Sequence, residues 1–201
     1  MTEKLSYTNR CGDTAYIRVV GTNKGGVRYY ITKDPQAPDL LEEMPNGFEF
    51  FEYTYDARIV FRKRVTSKVI ESERQIVESA MMALSDVKDF KIVLESNSIV
   101  VYISQFSSIA GQEPNLTAEE ARQQWGGNHV DRFKKYDDYV RFMLVNESKR
   151  TFKLERKVFM SFFGHDYAEL ETSDDLEYLA EMVCQHIGYD TFFDLAPKGY
   201  E

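Results

Sequence analysis

One stretch constrains this chain more than any other: YVRFMLVNESKRTFKLERKVFMSFFGHD, running from Tyr139 to Asp166. Val140 to Val145 is apolar at every position except Arg141, the pattern of a strand covered on both faces, so a central place in an antiparallel sheet is expected. Asn146-Glu147-Ser148-Lys149 then reverses the chain, with Asn146 suited to open a turn through its own side chain. Phe152, Leu154, Val158, Met160 and Phe162 continue on alternate positions, and Arg156 is the one interruption.

Two registers of this hairpin compete. A four-residue loop over Asn146 to Lys149 puts Arg141, Met143, Phe152, Leu154 and Arg156 on one face, with both guanidinium groups on an apolar surface. A loop one residue shorter or longer, with a bulge, instead sets Phe142 opposite Leu154, Leu144 opposite Phe152, and Arg141 opposite Glu155. A slip of one residue moves every side chain to the other face, so register decides what each arginine meets. The second pairing buries apolar against apolar and is favoured. Either way a buried arginine needs a partner, because an uncompensated charge in a core costs on the order of 3 to 5 kcal/mol. Neutralisation by the chain's own acids is the expectation.

The remaining chain reads as more hairpins and a few helices. Thr14 to Val20 and Val27 to Thr32 pair across a Gly- and Asn-rich turn. Phe48 to Tyr55 pairs with Arg58 to Arg64, and Phe90 to Glu95 with Ser98 to Ser104. Glu71 to Asp86 carries Val77, Met81 and Leu84 at helical spacing, with Ser72 as the expected cap. Leu116-Thr117-Ala118-Glu119-Glu120 has the spacing of a capping box and opens a second helix that ends near Gly126-Gly127. A third, with Leu176, Leu179, Ala180, Val183 and Ile187 on its buried stripe, is expected to be capped by Thr172 or Ser173 and stopped by Gly188. Gly164-His165-Asp166 is expected to end a strand.

These elements predict an α+β fold: a mainly antiparallel sheet built from hairpins, with about three helices packed on it. At 201 residues the chain is long enough for a core without metal or disulfide staples. The expected organisation is one domain over 14–195, or two closely packed halves at about 14–104 and 116–195, after a loose segment over 1–12. Aromatic residues make up 14% of the chain, which favours sheet over a helical bundle.

Charge and cysteine usage narrow the function. A formal net charge of −8 argues against nucleic acid as a partner. No apolar run approaches the roughly 18 residues of a membrane span. Cys11 and Cys184 make no disulfide framework, and with no apolar targeting segment at the N-terminus a reducing, cytoplasmic setting is expected. Cys184 and His186 lie two apart on a helix, about 200° around its axis, and cannot grip one ion together; no metal site and no cofactor is expected.

No motif with a reaction attached occurs in the chain. His165, at the end of a strand and beside a turn, is the candidate catalytic acid or base, although the adjacent Asp166 is badly placed to orient its ring. Arg141 and Arg156, with Tyr139 nearby, are the candidate ligand-binding residues, since guanidinium groups on a concave apolar face hold a carboxylate or phosphate by paired hydrogen bonds. The competing account is that both arginines are structural, Arg141 with Glu155. The expected function is therefore a non-enzymatic protein that acts through a protein partner or a second copy of itself. The alternative is a small-molecule or anion-binding enzyme with a pocket around Arg141, Arg156 and His165.

Overall fold

The computed structural model describes residues 4–106, 116–127, 130, 134–160 and 164–198, apart from the side chains of 118, 159, 160 and 164–166. All strand pairs are antiparallel, and with the helices they make an α+β fold. By its internal contacts the chain divides into two compact units, Met1–Val65 with Asn128–Lys135, and Thr66–Gly127 with Tyr136–Glu201. Among the described residues no helix is long and apolar enough to cross a membrane.

In the first unit, β1 (Ser6–Thr8), β2 (Thr14–Gly21) and β3 (Val27–Thr32) form one sheet in that order. β4 (Phe48–Glu52) and β5 (Ile59–Lys63) form a second, closed by Ala57 at a φ of 61°. Aromatic edges fill the space between strands: the Tyr29 ring meets Phe48 at 5.0 Å and Phe61 at 5.3 Å. Within the 1–12 segment expected to be loose, Ser6–Thr8 pairs with β2. Tyr7 stacks on Phe50 at 5.6 Å, and the Arg10 guanidinium donates to Glu52 at 2.9 Å. The buried Asn9 amide donates to the Ala57 carbonyl, while its oxygen accepts from the backbone N–H groups of Cys11 and Asp13. Three hydrogen bonds from one side chain hold a segment whose composition alone reads as polar and free.

The second unit is a five-stranded sheet, order β10-β9-β8-β7-β6, from β6 (Phe90–Leu94), β7 (Ser98–Ser104), β8 (Tyr136–Asn146), β9 (Thr151–Met160) and β10 (Gly164–Ser173). β8 is its centre. The register is the favoured one, Arg141 opposite Glu155, Phe142 opposite Leu154 and Leu144 opposite Phe152, with a shift between Leu144 and Asn146. Val140, Phe142 and Leu144 therefore share a face with Leu154 and with Ile99 and Val101 of β7. Against that face lie α1 (Glu71–Leu84), through Val77 and Met81, and α3 (Leu176–Cys184), through Leu179 and Val183. Each of these large side chains contributes roughly 1.5–3 kcal/mol by leaving water.

Local signals placed the helices well and their first residues less so. α2 (Ala118–Trp125) opens with the expected box, Thr117 Oγ1 accepting from Glu120 N–H at 3.2 Å and the Glu120 carboxylate accepting from Thr117 N–H at 2.7 Å. In α1 the cap is Ile70, not Ser72: Glu73 reaches back to accept from Ile70 N–H at 2.9 Å, a bond that an apolar capping position still offers through its backbone. In α3 the cap is Asp175, whose carboxylate accepts from Tyr178 N–H at 2.9 Å, two residues beyond Ser173. Gly164-His165-Asp166 does not end a strand. It begins β10, whose backbone pairs His165 with Phe159 and runs on to Ser173.

Candidate functional site

Register puts a connected set of charged and phenolic side chains on the sheet face opposite the helices. Arg141 Nε donates to Glu155 Oε2, and Lys153 Nζ lies 2.6 Å from the other carboxylate oxygen. Glu155 is only 4% exposed. The Arg141 guanidinium carbon also lies over the Tyr167 ring, 3.7 Å from its centre. The Tyr167 hydroxyl donates to Asp138, whose other oxygen is 2.5 Å from Lys157 Nζ. A shift in the β7–β8 ladder between Val101 and Tyr102 brings Tyr102 opposite Asp138, and the Tyr102 hydroxyl donates to Glu95 at 2.9 Å.

These partners fix the charge states. Burial pushes the Glu155 carboxyl up, but the bonds from Arg141 and Lys153 outweigh it and hold the group below the usual carboxylate range. Asp138 behaves likewise, burial opposed by Lys157 and Tyr167. Burial, then the adjacent carboxylates, raise the Tyr102 and Tyr167 hydroxyls above the usual phenol range. The acids stay ionised and the phenols stay protonated at neutral pH. General acid–base work needs a group poised near the working pH, which none of these four provides.

Arg156 points to the other face, as the neighbour of Glu155 in an extended strand must. Its Nε donates to the Leu195 carbonyl at 3.0 Å and a terminal nitrogen to the Phe193 carbonyl at 3.3 Å. Among the described residues no carboxylate lies within ion-pair distance of it, which corrects the expectation that both arginines are neutralised by acids. Two carbonyls following the short helical turn Asp190–Phe192 take that part instead. Tyr139 shares this side, its ring 6.2 Å from Phe192; burial and the charges of Asp137 and Asp138 push its hydroxyl up to about 12. The candidate set is thus divided: Arg141 on one face, Arg156 and Tyr139 on the other. The His165 side chain lies outside the described residues.

Hollows among the described residues lie elsewhere. In the first unit, one of about 670 Å³ is lined by Asn9, Cys11, Asp13, Lys33 and Arg58 among others. Its cations are engaged, Lys33 with Asp13 at 3.0 Å and Arg58 over the Tyr53 ring at 4.6 Å. In the second unit, a groove of about 470 Å³ runs between α1 and α3 over Ile76, Ala80, Ala83, Leu84 and Ala180, bordered by Glu177 and Glu181. A further hollow of about 370 Å³ shares Ile76 and Glu177 with it and carries the depression on to Asp174 and Asp175.

The remaining titratable candidates are structural. Burial pushes the Cys184 thiol up to about 12, far from a thiolate at neutral pH. His186 Nδ1 lies 2.9 Å from the Thr191 hydroxyl. Among the described residues no group of three or more His, Cys, Asp or Glu is placed to hold a metal ion. Trp125 packs on Phe106, ring centres 5.0 Å apart. Sequence reasoning missed Tyr167, Asp138 and Lys157 as partners of Arg141's neighbourhood because β10 itself was missed. It also missed the groove, which depends on how two helices far apart in the chain are set side by side. No family model matches this chain, and neither does any curated protein or solved structure with which it was compared.

Proposed function

We propose that this chain is a non-enzymatic protein that acts by binding another protein, with the helix side of the second unit as its working surface and the sheet as scaffold. One observation carries the reading: a concave surface with an accessible apolar floor lies between α1 and α3, where Leu84 is 39% exposed. The arginines support it from the other direction, because Arg141 donates to Glu155 and Arg156 to the carbonyls of Phe193 and Leu195, all within the molecule. A reducing, cytoplasmic setting belongs to the same reading, supported by Cys184, a thiol buried in the core. The test is affinity capture on the immobilised chain followed by hydrogen exchange on the recovered complex. Slowed exchange over residues 71–84 and 176–184 is expected. Recovery of a small anion whose binding shifts the Arg141 or Arg156 side-chain resonances, with no protein retained, sinks the proposal.

A further inference from the structure

We infer that the α1–α3 groove receives a basic amphipathic helix of another protein, an inference that rests on the reading above and gives its partner a chemistry. Apolar floor and acidic border are laid out along one line. Glu177 and Glu181, four apart, stand above one another on the side of α3 that borders the depression, and Asp174, in the chain just before the Asp175 cap, lines its continuation. None of the three has an ion-pair partner among the described residues. The carboxylates of α1 differ: Glu71 and Glu78 are taken by Arg74 at 2.7 and 3.0 Å, and Glu73 by Arg150 at 2.5 Å. Like charges four apart on a helix repel each other, so Glu177 and Glu181 carry a standing cost that an incoming cation removes.

Dimensions fit the same occupant. The wall of α1 from Ser72 to Leu84 is about 18 Å long, some three turns of helix. Small side chains, Ser79, Ala80 and Ala83 on one wall and Ala180 on the other, leave the floor low enough for a third helix to lay large apolar residues into it at i, i+3 or i+4, and i+7. Lysines or arginines four apart on one flank of that helix meet Glu177 and Glu181, and a further one beyond them meets Asp174. Glu73 and Arg150, tied to each other, close the far end.

The experiment uses the full chain and a fluorescein-labelled amphipathic peptide of leucine and lysine, about 18 residues long and so about 27 Å as a helix. Fluorescence anisotropy is read against two controls, the same composition scrambled out of helical period and the lysines replaced by glutamates. The lysine peptide is expected to bind, and the controls at least about tenfold more weakly. Two variants assign the site. Glu177→Lys with Glu181→Lys reverses the border, and Ser79→Trp fills the groove while leaving every charge in place. Each is expected to weaken binding at least about tenfold, and because all three positions are exposed the circular dichroism spectrum stays unchanged. Absence of binding overturns the inference, as does equal affinity for the scrambled peptide. So does affinity untouched by Ser79→Trp, which reduces the effect to undirected charge attraction. Failure here leaves protein binding itself standing if a captured partner protects the same helices without a basic segment, so the two proposals fall separately.

Discussion

Glu155 is the side chain on which the polar face of the sheet turns. It is almost wholly buried, and it is shared by Arg141 and Lys153, which sit respectively opposite it and two residues before it on its own strand. Glu155→Gln keeps the shape and removes the charge, leaving two cations around a neutral amide. Breaking a fully buried pair costs on the order of 3 to 5 kcal/mol. Because the Arg141 and Lys153 side chains keep 30% and 27% of their exposure, water recovers part of that, and a loss of about 1–3 kcal/mol is expected at neutral pH, read by urea unfolding. A loss under about 0.5 kcal/mol would show Glu155 to be a bystander. Arg156 predicts something more local. Arg156→Met keeps most of the apolar stem but abandons the carbonyls of Phe193 and Leu195, so amide exchange is expected to quicken over 190–198 while the slowest amides of β8 hold their rates. Arg141 was legible in the sequence because a register that buries Phe142 against Leu154 places Glu155 across from it. Arg156 was not, since its partners are backbone carbonyls, which any sequence supplies and none announces.

Elements were legible wherever the local chemistry was self-contained. The Thr117–Glu120 box, the hairpins and the stripe of Leu176, Leu179, Ala180 and Val183 all sit within a dozen residues of their own signal. β10 failed for a physical reason: Tyr167-Ala168-Glu169-Leu170-Glu171 is an edge strand whose alternation is broken by the irregularity between Glu169 and Glu171, and acidic residues are poor strand formers in isolation. The junction of α1 and α3 shows how tightly two elements are fitted. Past the end of α3, the Ile187 carbonyl accepts from Asp86 N–H at 3.2 Å and from the Ser85 hydroxyl at 3.1 Å. Gly188 follows at a φ of 102°, and a Cβ there would stand 2.9 Å from the Asp86 Cβ and 3.2 Å from its backbone. Gly188→Ala therefore meets both a left-handed backbone and a wall of main chain. Its cost is expected to exceed that of Gly12→Ala, where φ is 83° and nothing lies within 4 Å, by more than about 1 kcal/mol. Thermal melts of the two variants make the comparison, and equal shifts would mean that the helix ends yield freely.

At the scale of the whole molecule the same polar groups set how stability depends on pH. Asp138 and Glu155 have folded pKa values below their unfolded ones of about 3.9 and 4.3, so the folded state releases these protons more readily. Their contribution is complete above those unfolded values and drains away as pH falls through the folded ones. Tyr7, Tyr102, Tyr139 and Tyr167 are shifted the opposite way, upward, chiefly by burial. A raised acid holds its proton in the folded state after the unfolded chain, near 10, has lost it. That contribution is complete below about pH 10 and is lost as pH rises, for Tyr139 through about 12. The unfolding free energy from urea titrations is therefore expected to be flat from about pH 5 to about pH 9 as far as these groups govern it, and to fall on both sides. Tyrosinate absorbance supplies an independent reading. Of the 13 tyrosines, a fraction is expected to ionise only when the chain unfolds, giving a step that coincides with loss of near-ultraviolet circular dichroism. Tyr139→Phe removes one phenol from that step and flattens the alkaline fall without altering the acid one. A single smooth titration near pH 10, identical in water and in urea, would contradict the burial of these hydroxyls and with it the placement of the network on the sheet.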